Sequence, residues 1–188
     1  MTKVTAEEAA SVLRGGGVVL VPTETVVGLV AAEAGALNEI KGSDPGKPLA
    51  VLCASAEEAF SLVAEVPPLA RALADAHWPG PLTLVLGRRG GGTVGVRVPT
   101  GAVVDVLRAY GGPLYATSAN PSGRPAPRSL DAVDPDLVAA ADALVGGEEG
   151  SGEASAVVDF SGGEVRVLRA TGAINGETLR KLAGDLPG

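Results

Sequence analysis

The sequence predicts one α/β domain built on a twisted, mixed β-sheet with flanking helices. Short apolar runs of strand length recur along the chain, and segments with helical patterning lie between them without strict alternation. At 188 residues the chain suffices for one domain, or at most two small ones, with a proper buried core. Apolar residues make up 46% of it and aromatics only 3%, so that core must be built mainly from Val, Leu and Ala.

The elements follow in order. Thr5, Ala6, Glu7 and Glu8 fit a capping box opening a helix that runs to about Arg14 and stops at three glycines. VVLVP (18–22) reads as a buried strand followed by the polar turn PTET, and LAVLC (49–53) as a second buried strand. Residues 55–65 and 69–77 read as helices, the second opened by a Pro pair. PLTLVL (81–86) and TVGVRVP (93–99) read as strands joined across the glycine-rich turn RRGGG. Residues 101–110 read as a helix, and PLYATSAN (113–120) as a strand running into a loop. A Pro-rich connection leads to a short helix near 135–141 and a strand at DALVG (142–146). The Gly-rich segment 146–152 reads as a flexible loop rather than a domain boundary. ASAVVDF (154–160) and EVRVLRA (164–170) are the last two strands, and a closing helix lies near 176–183.

Composition narrows the function classes. A formal charge of −7 argues against coating nucleic acid with the whole surface, while leaving room for a local basic cleft. The single cysteine, Cys53, forms no internal disulfide, and no Cys/His cluster has zinc spacing. The N-terminus resembles neither a signal nor a transit peptide, and no apolar run approaches ~20 residues, so the expectation is a cytoplasmic protein without a membrane partner.

Five polar stretches interrupt the ends of apolar strands: PTET, KGSDPGK, RVP, TSANPSG and SAVVD. Each alone reads as a turn, because Pro, Gly, Asn and Ser are turn residues. Together they mark strand ends, where open α/β sheets gather ligands. Thr117, Ser118, Asn120 and Ser122 offer four hydrogen-bonding side chains in one short span, and Gly123 lets a backbone approach closely. Arg97 lies within apolar VGVRVP, where a guanidinium needs an internal or a bound carboxylate. Lys41 and Lys47 suit phosphates as flexible point charges, and Arg169 is a second arginine in an apolar strand. His77, beside Trp78 at a helix end, reads as structural, and Cys53 as an inert core thiol. There is no Walker-type phosphate loop, no Gly-x-Gly-x-x-Gly after a strand and no Ser–His–Asp arrangement.

PTETVVGL, IKGSDPGKPLAVL, WPGPLTLVL, VGVRVP, ATSANPSG, SAVVDF and VLRATGAI resemble, in order and rough spacing, the motifs of the YrdC-like family of threonylcarbamoyl-adenylate synthases. The resemblance covers about residues 5–175, with WPGPLTL and TSANPSG its most specific parts, and matches the short form with one catalytic domain spanning 1–188. It implies a mixed sheet around a concave, positively charged cleft. It also implies a nucleotidyltransferase that makes threonylcarbamoyl-AMP and pyrophosphate from L-threonine, bicarbonate and ATP. Mg2+ would sit on the ATP phosphates, with no metal ligand from protein side chains and no tightly bound cofactor. Partner proteins then pass the threonylcarbamoyl group to tRNA.

Carried over by motif, Thr23, Thr25, Arg97, Thr117 and Ser155 would face threonine, with Arg97 on its carboxylate. Lys41, Lys47, Ser118, Asn120 and Arg169 would face the nucleotide, with Lys41, Lys47 and Arg97 the groups that stabilise the reacting charges. Four departures cluster near these positions. Ser43-Asp44 stands where the family has an arginine, Val27 replaces a tyrosine, Ala156 replaces a threonine, and the run from Gly28 to Lys41 is about five residues short, removing part of a helix. Three readings follow: an active synthase in which Arg88, Arg89 or Arg124 stands in for the missing arginine; a relative that binds nucleotide or RNA without this reaction; and a translation-associated protein that binds double-stranded RNA.

Overall fold

The computed structural model describes residues 2–42 and 49–184. Ten strands are present: β1 (Lys3–Val4), β2 (Val18–Pro22), β3 (Val27–Ala31), β4 (Ala50–Leu52), β5 (Leu82–Gly87), β6 (Thr93–Arg97), β7 (Leu114–Ser118), β8 (Ala143–Val145), β9 (Ala156–Asp159) and β10 (Arg166–Arg169). They form one mixed sheet in the order β1-β8-β2-β3-β7-β4-β6-β5-β9-β10. Among the described residues seven α-helices flank it: α1 (Ala6–Arg14), α2 (Ala34–Lys41), α3 (Ala56–Ser61), α4 (Pro68–His77), α5 (Val103–Tyr110), α6 (Pro135–Ala140) and α7 (Gly176–Gly184).

The first helix forms as its capping box requires. Thr5 Oγ1 accepts from the Glu8 amide at 3.2 Å, and Glu8 Oε2 accepts from the Thr5 amide at 2.8 Å. That satisfies two N-terminal donors reciprocally and buries Ala9, Ala10 and Leu13 on one face.

Two halves of the sheet are covered differently, and this difference creates the site. Around β2, β3 and β8, helices pack on both faces. Val19, Val21, Val106 and Leu107 join α1 and α5 to one side, and Leu20, Leu29, Leu37 and Leu137 join α2 and α6 to the other. Strands buried on both faces read as continuous apolar runs, as VVLVP does. Around β5, β6 and β9 only one face carries helices among the described residues. Leu82, Leu84, Leu86, Val94, Val96, Ala156 and Val158 pack there with residues of α3, α4 and α7. Alternation turns Thr83, Val85, Gly95, Arg97, Val157 and Asp159 to the opposite, open face. The register pairs Leu84 with both Val96 and Val158. Burying each leucine contributes about 1.5–3 kcal/mol. A slip of one residue would expose the whole leucine row, so burial fixes which residues line the cavity.

Three elements add to the expected set. β3 returns directly after PTET as an antiparallel partner of β2, pairing Val18 with Ala31 and Pro22 with Val27. α2 is an eight-residue helix within the run read as shortened, and β1 is a two-residue edge strand. The reading of 146–152 as a flexible loop is corrected. Gly150 N donates to Arg128 O, Ser151 N to Glu24 O and Gly152 N to Thr25 O, at 2.8–2.9 Å. Arg128 and Glu149 form an ion pair at 3.0 Å. At Gly150 the strap lies against the PTET turn with no room for a side chain: a Cβ there would stand 2.3 Å from Thr25 O. Ser43, Asp44 and Lys47 lie outside the described residues.

Candidate active site

The open face holds a cavity of about 540 Å³. Thr23, Thr25, Arg97, Thr117, Ser118, Ser155 and Arg169, seven of the residues singled out in the sequence, line it. Lys41 and Asn120 do not line it but are bonded to Ser118, which does.

Arg97, at the end of β6, is only 7% exposed, and its required carboxylate is internal. Glu24 Oε1 accepts from Nη2 at 2.7 Å, Thr25 Oγ1 accepts from the same nitrogen at 3.0 Å, and Gly80 O accepts from Nε at 3.3 Å. Glu24 Oε2 in turn accepts from the Thr100 amide at 3.0 Å. Glu24 was missed in the sequence because a search for anion-binding groups passes over an acid. The signal available was the need of a buried arginine for a partner.

The hydroxyls of the turn form a directed chain. Thr23 Oγ1 donates to Val26 O at 2.8 Å. Its proton being committed, the 2.8 Å contact with Thr25 Oγ1 has Thr25 as donor. Arg97, Thr25, Thr23 and Val26 thus run donor to acceptor, which fixes both hydroxyls before any ligand arrives.

Opposite Arg97, Thr83 on β5 and Ser155 at the entry to β9 pair their hydroxyls at 3.0 Å, and Arg169 Nη1 donates to Ser155 O at 3.1 Å. Thr83 is a further site residue that the sequence reading did not select. At the end of β7, Lys41 Nζ donates to Ser118 O at 2.9 Å and to Asn120 O, while Ser118 Oγ donates to Asn120 Oδ1. Asn120 Nδ2 donates to Arg124 O, closing the loop on itself. α2, which packs on β3 and β7, therefore delivers Lys41 to the TSAN loop.

Asp159 is the carboxylate of the cavity wall. Oδ1 accepts from the Ser161 amide (2.8 Å) and hydroxyl (2.6 Å), and Oδ2 accepts from Arg166 at 2.6 Å. Burial alone would raise its pKa, but the Ser161 bonds and Arg166 outweigh burial and hold it below the ordinary carboxylate value.

The proposed stand-ins for the absent loop arginine point elsewhere. Arg88 reaches the Tyr115 hydroxyl at 3.3 Å, Arg89 reaches Ser61 O at 3.1 Å, and Arg124 pairs with Asp134 at 3.8 Å. None of the three lines the cavity. Burial lowers the pKa of His77, at the end of α4 and away from the cavity wall. Burial, with the Glu58 charge adding to it, pushes the Cys53 thiol up to about 12, as suits an inert core residue. Among the described residues, no group of three or more His, Cys, Asp or Glu side chains comes together to hold a metal. None of the helices described is long and apolar enough to cross a membrane.

Residues 11–171 match the Sua5/YciO/YrdC family model, whose description reads "Telomere recombination". The chain belongs to the Sua5/YciO/YrdC family. A threonylcarbamoyl-AMP synthase of Pyrococcus abyssi is 35% identical over 95% of this chain, which spans 57% of that relative's length. The crystal structure of P. abyssi Sua5 complexed with L-threonine superposes with a TM-score of 0.84 at 33% identity, covering 96% of this chain and 58% of that one. The solution structure of the MTH1692 protein from Methanobacterium thermoautotrophicum is 31% identical with a TM-score of 0.67, over 93% of this chain and 91% of that one. This chain therefore spans little more than half of the P. abyssi protein but most of the Methanobacterium one. The fold class expected from the sequence, an α/β domain with a mixed sheet and flanking helices, is the one observed.

Proposed function

We propose that this chain is a threonylcarbamoyl-AMP synthase, a nucleotidyltransferase joining L-threonine, bicarbonate and ATP. The observation that carries the reading is the buried Arg97 in the cavity wall, bonded to the PTET turn, in a chain 33% identical to a relative whose structure holds L-threonine.

Arg97 has one end of its guanidinium engaged, by Gly80, Glu24 and Thr25. Nη1 is the end left for the threonine carboxylate, beside the Thr23 and Thr25 hydroxyls, with Thr117 and Ser155 lining the same cavity. The threonine nitrogen bonds to the carbon of bicarbonate with loss of water. A carbamate oxygen then attacks the α-phosphorus of ATP, and pyrophosphate leaves as the old phosphoanhydride bond breaks. Such a reaction needs positioning and charge stabilisation more than a strong base. Ser118, Asn120 and Arg169 hold the nucleotide in this reading, and Lys41 and Lys47 serve its phosphates. Mg2+ enters on the ATP phosphates as part of the substrate, since Asp159 has both oxygens engaged and offers no cage. The product, a mixed anhydride, passes to partner proteins that modify tRNA.

Purified protein should release pyrophosphate from Mg-ATP only when threonine and bicarbonate are both present. Release by the wild type no higher than by Arg97→Ala rejects the proposal.

A further inference from the structure

Beside the cavity stands an arginine, Arg166, that none of the family motifs quoted above assigns; it does not itself line the cavity but is bonded to Asp159, which does. β9 and β10 pair antiparallel, with Asp159 opposite Arg166 and Val158 opposite Val167, but Val157 opposite Arg169. The register shifts between Val167 and Arg169, so Leu168 is an extra residue, a β-bulge. Residues three apart on a regular strand point to opposite faces. The bulge cancels that alternation. Val167 packs with the helix-side core beside Val158. Arg166 and Arg169 both stand opposite cavity-lining residues, Asp159 and Val157, and so share the cavity face. Leu168, 58% exposed, is left at the rim.

Each guanidinium is tethered at one nitrogen and keeps further donors. Arg166 gives Nη2 to Asp159 at 2.6 Å, and Arg169 gives Nη1 to Ser155 O at 3.1 Å. Asp159 is turned inward, 4% exposed, with its other oxygen on Ser161, whereas the Arg166 side chain is 62% exposed. The Arg166 guanidinium thus lies outside the carboxylate, on the same strand face as Arg169, which lines the cavity. Forked, planar donors fit phosphate oxygens in pairs, as the point charge of a lysine does not.

We infer that Arg166, aimed by the bulge at Leu168 and held by Asp159, binds the polyphosphate of the nucleotide together with Arg169. This supplies a cation on the cavity side of β10, whereas Arg88, Arg89 and Arg124 are bonded to Tyr115, Ser61 and Asp134. Asp159 is a positioning residue in this scheme. The inference rests on the nucleotide reading of the cavity, but not on turnover.

Calorimetry with ATP, tripolyphosphate and adenosine tests it. Arg166→Ala should weaken ATP and tripolyphosphate about tenfold and leave adenosine unchanged, the size expected for loss of a hydrogen bond to a charged group. Arg166→Lys should recover part of the loss. The double variant Asp159→Asn/Arg166→Ala separates binding from local structure, because it removes the stranded carboxylate as well. Continued weak tripolyphosphate binding by the double variant supports the inference, and wild-type affinity overturns it, since Arg166 then only satisfies Asp159. Absence of tripolyphosphate binding by the wild type overturns it too. Tripolyphosphate binding without threonine-dependent pyrophosphate release would reject the synthase reading and leave the arginine pair standing.

Discussion

Gly150→Ala is the sharpest test of how the PTET turn is held. The added Cβ would lie 2.3 Å from Thr25 O, 2.5 Å from Thr25 C and 2.9 Å from Thr23 O. These are backbone atoms, so no rotamer change relieves the contact. Restoring ordinary carbon–oxygen separation requires strap and turn to part by about 1 Å. That parting strains the bonds from Ser151 N to Glu24 O and from Gly152 N to Thr25 O. Overpacking of this kind costs about 1–3 kcal/mol. In a domain of this size each kcal/mol lowers Tm by about 2–4 °C, so a fall of about 2–12 °C is expected in scanning calorimetry. The turn carries Thr23 and Thr25, and an error of 1 Å in positioning can cost about a hundredfold in rate. Threonine affinity, read by titration calorimetry, should fall as well. Gly147→Ala is the control, because its Cβ would meet Ala102 and Pro22 side chains rather than the threonine backbone. It should lower Tm with a smaller effect on threonine. A Gly150→Ala protein with wild-type Tm and wild-type threonine affinity would refute the strap as a constraint on the turn.

Glu24→Ala strands Arg97 at 7% exposure; urea unfolding should show a loss of about 3 kcal/mol, and a loss below about 0.5 kcal/mol contradicts the pairing. Cys53, with its thiol pushed up to about 12, should resist alkylation at pH 8 in the native state and react only on unfolding; rapid labelling of native protein would show the site to be open. Asp159 titrates below its unfolded value of 3.8, so its contribution to stability is full above that value and is lost as pH falls through the lower folded one. The stability gap between wild type and Asp159→Asn should therefore close in strong acid, and a gap constant down to pH 2 would argue against a lowered pKa.

The legible parts of the fold were those whose cause is local. Thr5 and Glu8 announce α1, and the runs VVLVP and PLTLVL announce strands, because capping and burial need only neighbours in the chain. β3 escaped because VGLVA follows the PTET turn at once and Gly28 interrupts its apolar run. α2 escaped because AGALNEIK has a weak apolar stripe and its N-cap, Glu33, makes no side-chain capping bond. The 146–152 strap escaped because glycines demanded by close packing have the same composition as glycines in a loose linker. In the site, Arg97 was legible as a charge in an apolar strand, and Thr25 and Ser118 as members of polar turns at strand ends whose roles came with the family resemblance. Arg166 was not, since its direction depends on a bulge that is set by pairing with β9.

The pairing of β5 with β9 joins residues far apart in sequence: Thr83 meets Ser155 across a separation of 72. A chain still emerging from the ribosome thus holds Thr23, Thr25, Arg97 and Ser118 long before it holds the wall bearing Ser155 and Arg169. Until then β5 has β6 on one side and an open edge on the other, a template for wrong partners. Closure over so long a loop is slow, and it gains nothing until the strands register. Ligand binding should therefore arrive in one step, late in synthesis, when β9 docks.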